Sequence, residues 1–191
     1  MKARIRVALG VACLLFAGLA SAFDPLSLAG SAVSTAMDVR SKAEVKNDVE
    51  IDVALTKKFL EAKGDDFKDV STLVFAQHAV LVGYAKTDAA RHKAEALAKA
   101  DKRIRVLKND IVVGSAAGGM AGNLVQDKKI GVALTAADGV HSVNMRWKAY
   151  GGEVFLMGVA KTQKEADLAI SKIRGLDGVK NVRSSLRIGK K

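Results

Sequence analysis

Val80-Leu81-Val82-Gly83-Tyr84-Ala85-Lys86-Thr87 returns later in the chain as Phe155-Leu156-Met157-Gly158-Val159-Ala160-Lys161-Thr162, with Val154 ahead of it. Each copy leads into an Ala-rich, charged segment and then into an alternating run that closes on Gly114 or Gly189. Gly83 to Gly158 and Gly114 to Gly189 are both 75 residues apart. One offset held across more than 30 residues marks a duplicated folding unit. The two copies, and not the chain as a whole, are therefore the objects to be folded.

Working outward from the first copy, Asn47-Asp48 can cap a helix, and Ile51, Ala54, Leu55, Phe59 and Ala62 recur at helical spacing up to Gly64. Residues 70–77 and 79–85 read as an antiparallel hairpin that turns near His78. Thr87 caps a second helix whose narrow apolar face is Ala90, Ala94, Leu97 and Ala98. Ile104, Leu107, Ile111 and Val113 lead into and along a closing strand. The second copy repeats this order. Ile130-Gly131-Val132-Ala133-Leu134-Thr135 echoes Ile51-Asp52-Val53-Ala54-Leu55-Thr56 at an offset of 79. Residues 142–149 and 153–159 form its hairpin, with Gly151-Gly152 suited to the positive φ of the turn. Thr162-Gln163-Lys164-Glu165 has the form of a capping box. Ala166, Ala169, Ile170 and Ile173 make the buried stripe, Gly175 ends the helix, and Val182, Leu186 and Ile188 alternate with Arg183, Ser185 and Arg187.

Each unit thus reads helix, strand, strand, helix, strand. The fold class is α+β, with two tandem αββαβ domains, each a small mixed sheet carrying two helices on one face. The boundaries are 1–22 for an export signal, 23–46 for a leader or linker, 47–114 for the first domain, 115–122 for a flexible linker and 123–190 for the second domain. Gly83, Gly158 and Gly178 are read as structural glycines. At roughly 70 residues each, the domains are small enough to lean on each other.

Composition sets the wider bounds. Lys2, Arg4 and Arg6 precede an apolar run of 14 residues, Val7 to Ala20, and Ala20-Ser21-Ala22 fits a signal-cleavage site. The run is short for a membrane span. Cys13 invites a lipid-attachment reading, but Gly10-Val11-Ala12 lacks the usual Leu three residues before it, and simple cleavage is favoured. The chain as a whole carries a net charge of +11. Residues 47–114 hold 12 basic and 11 acidic residues, whereas residues 122–191 hold 13 basic and 6 acidic. The excess therefore sits on the second unit, which suits an anionic partner.

Catalytic patterns are missing from the sequence. His78, His92 and His141 have no metal-ligand spacing, no serine lies in a nucleophile elbow, Asp65, Asp66 and Asp69 read as a polar turn, and Gly118-Gly119 matches neither phosphate-loop motif. We therefore expect no enzyme, cofactor or metal. Binding has more to work with. Lys128 and Lys129 would sit on the first turn of the second unit's first helix, and Lys172, Arg174, Lys180, Arg183, Arg187, Lys190 and Lys191 add charge. Trp147 and Tyr150 flank Lys148, which reads either as an interfacial anchor or as a core aromatic beside a turn.

The apolar runs into Gly83 and Gly158, the Ala-rich helices and the closing Gly178-Val179-Lys180-Asn181-Val182 resemble the BON domain, over roughly residues 45–190. Gly152-Glu153-Val154-Phe155-Leu156-Met157-Gly158 looks like the second unit of the dual BON-domain outer-membrane lipoproteins, and Asp38-Val39-Arg40-Ser41 looks like the stretch before their first unit. The resemblance implies a non-enzymatic periplasmic module, like the osmotically inducible periplasmic proteins. It also implies support of outer-membrane integrity and binding of anionic phospholipid through the first helix of the second unit. Carried onto this chain, that helix supplies Lys128, Lys129, Ile130, Ala133 and Leu134, to which the hairpin adds Trp147 and Lys148. Two departures stand out: a lipid-contacting aromatic of the family is Lys129 here, and Lys102-Arg103 replaces the Asp-Gly that precedes Val179 in the second copy. The expected partners are an anionic phospholipid or membrane surface and envelope proteins, not nucleic acid. The expected location is the periplasm, peripheral to the outer membrane. The rival expectation is a protein-interaction adaptor or chaperone-like module.

Overall fold

The computed structural model describes residues 37–62 and 65–189. The export segment with Cys13, the helix stop at Gly64, and Lys190 and Lys191 lie outside the described residues. The described chain builds four helices and two small mixed sheets in the α+β arrangement read from the repeat.

Helix α1, Lys42–Glu61, starts ahead of Asn47 because Ser41 and Glu44 form a reciprocal capping box. Residues 42–46 are thus helix rather than leader. Asp48, expected as a cap, lies inside the helix and is only 3% exposed. Its two oxygens accept the N–H groups of Ala76 and Gln77, each at 2.7 Å. These two residues are the turn between β1, Val70–Phe75, and β2, His78–Ala85, at φ 52° and 60°. A left-handed backbone costs a non-glycine residue roughly 1–2 kcal/mol. The buried carboxylate offsets that cost, so the hairpin turns one step before His78 with no glycine present.

Thr87 caps α2, Asp88–Lys99, through the N–H of Ala90. The closing strand is broken. β3, Val106–Asn109, and β4, Val112–Val113, both run parallel to β2. Between them the Asn109 side chain accepts the N–H of Ile111, which drops its own side chain into the helix–sheet core.

The second domain opens with α3, Met120–Ala136, so residues 120–122 of the expected linker are helical. The rest of that linker is not loose. Ala117's carbonyl rests against Gly151, where any β-carbon would overlap it. Strand β5, Met145–Tyr150, follows a short 3-10 turn at Ser142–Asn144 that the sequence had suggested as strand. β6 is Glu153–Ala160, and the Gly151-Gly152 turn takes φ 57° and 96°. α4, Gln163–Arg174, precedes β7, Asn181–Ile188, which runs parallel to β6 along its whole length. The expected capping box on α4 is half formed. Thr162 accepts the N–H of Glu165, but the Glu165 carboxylate reaches Lys161 and His141 instead of the cap.

Helices cover one face of each sheet, and the other faces cover each other. Leu73, Phe75, Val80 and Val82 of the first sheet pack on Tyr150, Phe155, Met157 and Val159 of the second. Tyr150 Oη meets Ser71 Oγ at 2.6 Å across this seam. Two further cores lie between each sheet and its own helices. Residues just before α1 strap the seam: Asn144 accepts the N–H of Val39 and donates to the Met37 carbonyl, while Arg40 pairs with Asp38 and Asp48.

Candidate functional site

On α3 the apolar residues do not share one side. Ile130 and Leu134 are 0% exposed and belong to the core beneath the helix. On the outer side Val125 is 54% and Val132 71% exposed. A helix that is apolar on both flanks is ordinarily enclosed, yet this one faces solvent. Val125, Lys128, Lys129, Val132 and Ala133 line a shallow groove of about 480 Å³, closed on its far side by Leu176 just beyond α4. Lys128 and Lys129 are exposed and form no ion pair among the described residues. The groove therefore offers an apolar floor with two free ammonium groups at its edge.

The other sequence-selected residues lie elsewhere. Ile130 and Leu134 are in the core and have no surface to give a ligand. Trp147 is tucked under α3: its indole N–H donates to the Asp127 carbonyl at 2.9 Å, and its ring lies where a β-carbon on Gly131 would press. Gly131 is thus the room that lets the helix close over the indole. Trp147 packs on the same core as Met145, which removes the interfacial-anchor reading. Lys148 is bound to Asp127 at 2.9 Å and is also withdrawn. Asp127 accepts the N–H of Ala149 as well, and burial holds its pKa above the ordinary carboxylate range despite Lys148.

Two of the arginines counted toward a basic face point into the seam. Arg183 pairs with Glu153 at 2.7 Å, and Arg187 meets His78. Lys172, Arg174 and Lys180 remain exposed. Sequence reasoning missed Val125, Val132 and Leu176. The available signal was the seven-residue step from Val125 to Val132, with the lysine pair between.

The three glycines share a conformation. Gly83, Gly158 and Gly178 have φ of 100°, 132° and 86°. A β-carbon on Gly83 would overlap the Asp69 carbonyl oxygen, and one on Gly158 that of Asn144. Among the described residues no three metal-capable side chains come together, and no helix is long and apolar enough to cross a membrane.

Comparison with known proteins agrees with this double architecture. The BON domain matches residues 47–115 and again 125–190. An uncharacterized protein in the gshII 5' region of Anaplasma centrale is 29% identical over 125 residues, covering 64% of this chain and 83% of that protein. Among solved structures, the C-terminal domain of CdsD, a structural protein of the Chlamydia trachomatis type III secretion system, aligns at 16% identity and a TM-score of 0.30. That alignment covers 69% of this chain and 62% of the other. A second CdsD structure aligns at 17% identity and a TM-score of 0.31, again over 62% of its length.

Proposed function

The chain belongs to the BON-domain family, whose members are generally non-catalytic binding modules associated with membranes and phospholipid, and from that premise we propose that it binds anionic phospholipid surfaces through α3. The observation that carries the reading is the groove of Val125, Val132, Ala133 and Leu176 edged by the unpaired Lys128 and Lys129. The lysines draw the helix to a negative surface, and the two valines enter the apolar margin of the headgroup layer. With Ile130, Leu134 and Trp147 committed to the core, contact is shallow and chiefly electrostatic. With the export signal read from residues 1–22, such binding places the protein in the periplasm, peripheral to the outer membrane, in support of envelope integrity.

Each lysine near an anionic surface contributes ~1 kcal/mol. Replacing Lys128 and Lys129 by Gln should weaken vesicle binding by about 2 kcal/mol, roughly thirtyfold. Flotation with anionic and zwitterionic vesicles at low and high salt tests this. Binding that ignores both salt and the double substitution would overturn the proposal.

The adaptor reading keeps one observation of its own. Both sheet faces are enclosed, but β7 is an unbroken eight-residue strand paired only with β6 among the described residues. An open edge of that length can accept an added strand from a protein client. A client captured without any affinity for anionic vesicles would favour it.

A further inference from the structure

Arg187 lies on β7 at the seam between the domains, and no carboxylate holds it. Its Nη1 faces Nε2 of His78 at 3.2 Å, so the imidazole accepts and its proton sits on Nδ1. Its Nη2 is buried with no hydrogen-bond partner among the described residues. A second guanidinium starts close by: the Arg105 N–H donates to the Gln77 carbonyl at 2.8 Å, next to His78, and its side chain is exposed. Burial lowers the proton affinity of His78, and Arg187 and Arg105 lower it further. Asp48 is the carboxylate that opposes this, but its oxygens already serve Ala76, Gln77 and Arg40. Two guanidinium groups and an imidazole thus converge from both domains, and the positive charge there has no acceptor left to meet. An orphaned donor on a buried charged group calls for a partner.

We infer that His78, Arg105 and Arg187 form a site for a small tetrahedral oxyanion of the phosphate type, built jointly by the two domains at the end of their seam. The planar fork of Arg187 matches two oxygens of such an anion, and Arg105 closes on it from the exposed side. Engagement needs only a rotation of the Arg187 side chain away from the imidazole. Once the anion is present, His78 gains a negative neighbour and takes up a proton, becoming a third donor. The site shares no residue with the α3 groove and stands or falls independently of it.

The test follows the ring signals of His78 by NMR in the full chain, with exposed His92 and the His141 ring as internal references. Sodium phosphate is titrated against sodium chloride at matched ionic strength. The expected result is a saturable His78 response to phosphate and a rise of about one unit in its apparent pKa. Arg187→Gln and Arg105→Gln should each weaken the response about tenfold, whereas the Lys128→Gln, Lys129→Gln variant should leave it intact. If Arg187→Gln loses its dispersed spectrum, the exposed Arg105 position decides. A soluble short-chain phosphatidate run in parallel separates the sources. A response to inorganic phosphate alone assigns a free anion, and a response to the phosphatidate alone assigns a lipid headgroup. Equal movement in chloride and phosphate, no response to either probe, or a response surviving the arginine substitutions would overturn the inference.

Discussion

The first helices of the two domains are built on one plan and finished differently. At the offset of 79 residues, Ile51 and Leu55 correspond to Ile130 and Leu134, and all four are fully buried. Asp48 corresponds to Asp127, and both carboxylates hold the backbone of their own hairpin. On the outer face the match ends. Lys46 and Glu50 pair along α1, as do Lys57 and Glu61 one further turn on. Their counterparts on α3 include Val125 and Lys129, apolar and unpaired. Ser41 caps α1, whereas Gly119 gives α3 no side-chain cap. Burial fixes what a helix must keep inside. The charge left on its outer face is free to vary, and that is where the two copies have taken separate roles.

The sharpest way to break this comparison is through the paired glycines. Ala at Gly83 or at Gly158 would meet carbonyl oxygen at a positive φ, and each should cost about 3 kcal/mol in urea unfolding. A large loss at one site and none at the other would end the claim of equivalent backbones. Next in size are the aspartates. Asp48→Ala strands two buried N–H groups and Arg40, for about 3 kcal/mol, while Asp127→Ala strands one N–H and a half-exposed lysine, for about 2 kcal/mol. The ordering is the test, and a costlier Asp127 would reverse the view that the non-glycine turn depends more on its carboxylate.

A pH contrast sharpens the comparison further. Burial of Glu165, 4% exposed, favours its neutral form, but hydrogen bonds from the His141 and Lys161 backbone and the His141 ring outweigh this and hold its pKa below the usual range. A depressed carboxylate stabilises the fold above its unfolded pKa, and that contribution fades as pH falls through the folded value. Ala90 holds the equivalent place in the first domain, so acid should loosen the second domain first. Glu165→Gln should flatten the acid side of the stability curve, read as the urea midpoint between about pH 3 and 7. Asp127, raised by burial, acts in the opposite sense, and the difference between wild type and variant isolates Glu165. The smallest effect comes from transplanting the outer face. Lys46→Val with Glu50→Lys should give α1 a weak affinity for anionic vesicles, roughly fivefold above wild type, measurable by flotation.

The repeat was legible because glycine spacing survives where side chains drift. The first turn was not, because Ala76-Gln77 carries no turn chemistry of its own and borrows it from Asp48, 28 residues earlier. The start of α1 was missed because Ser41 and Glu44 sat in a stretch read as leader. On α3, apolar residues on both flanks left periodicity unable to say which side faced out, so Ile130 and Leu134 were placed at the surface and Val125 and Val132 were overlooked. Alternation in β7 gave the right two faces. It could not show that the arginine face meets the other sheet, because that contact joins residues far apart in sequence.

With each sheet's back sealed by the other's, the helices of the two domains look in opposite directions. A surface that captures α3 turns α1 and α2 toward open water. The molecule is therefore two-sided, with a charge-balanced outer wall presented to whatever passes above the surface it rests on.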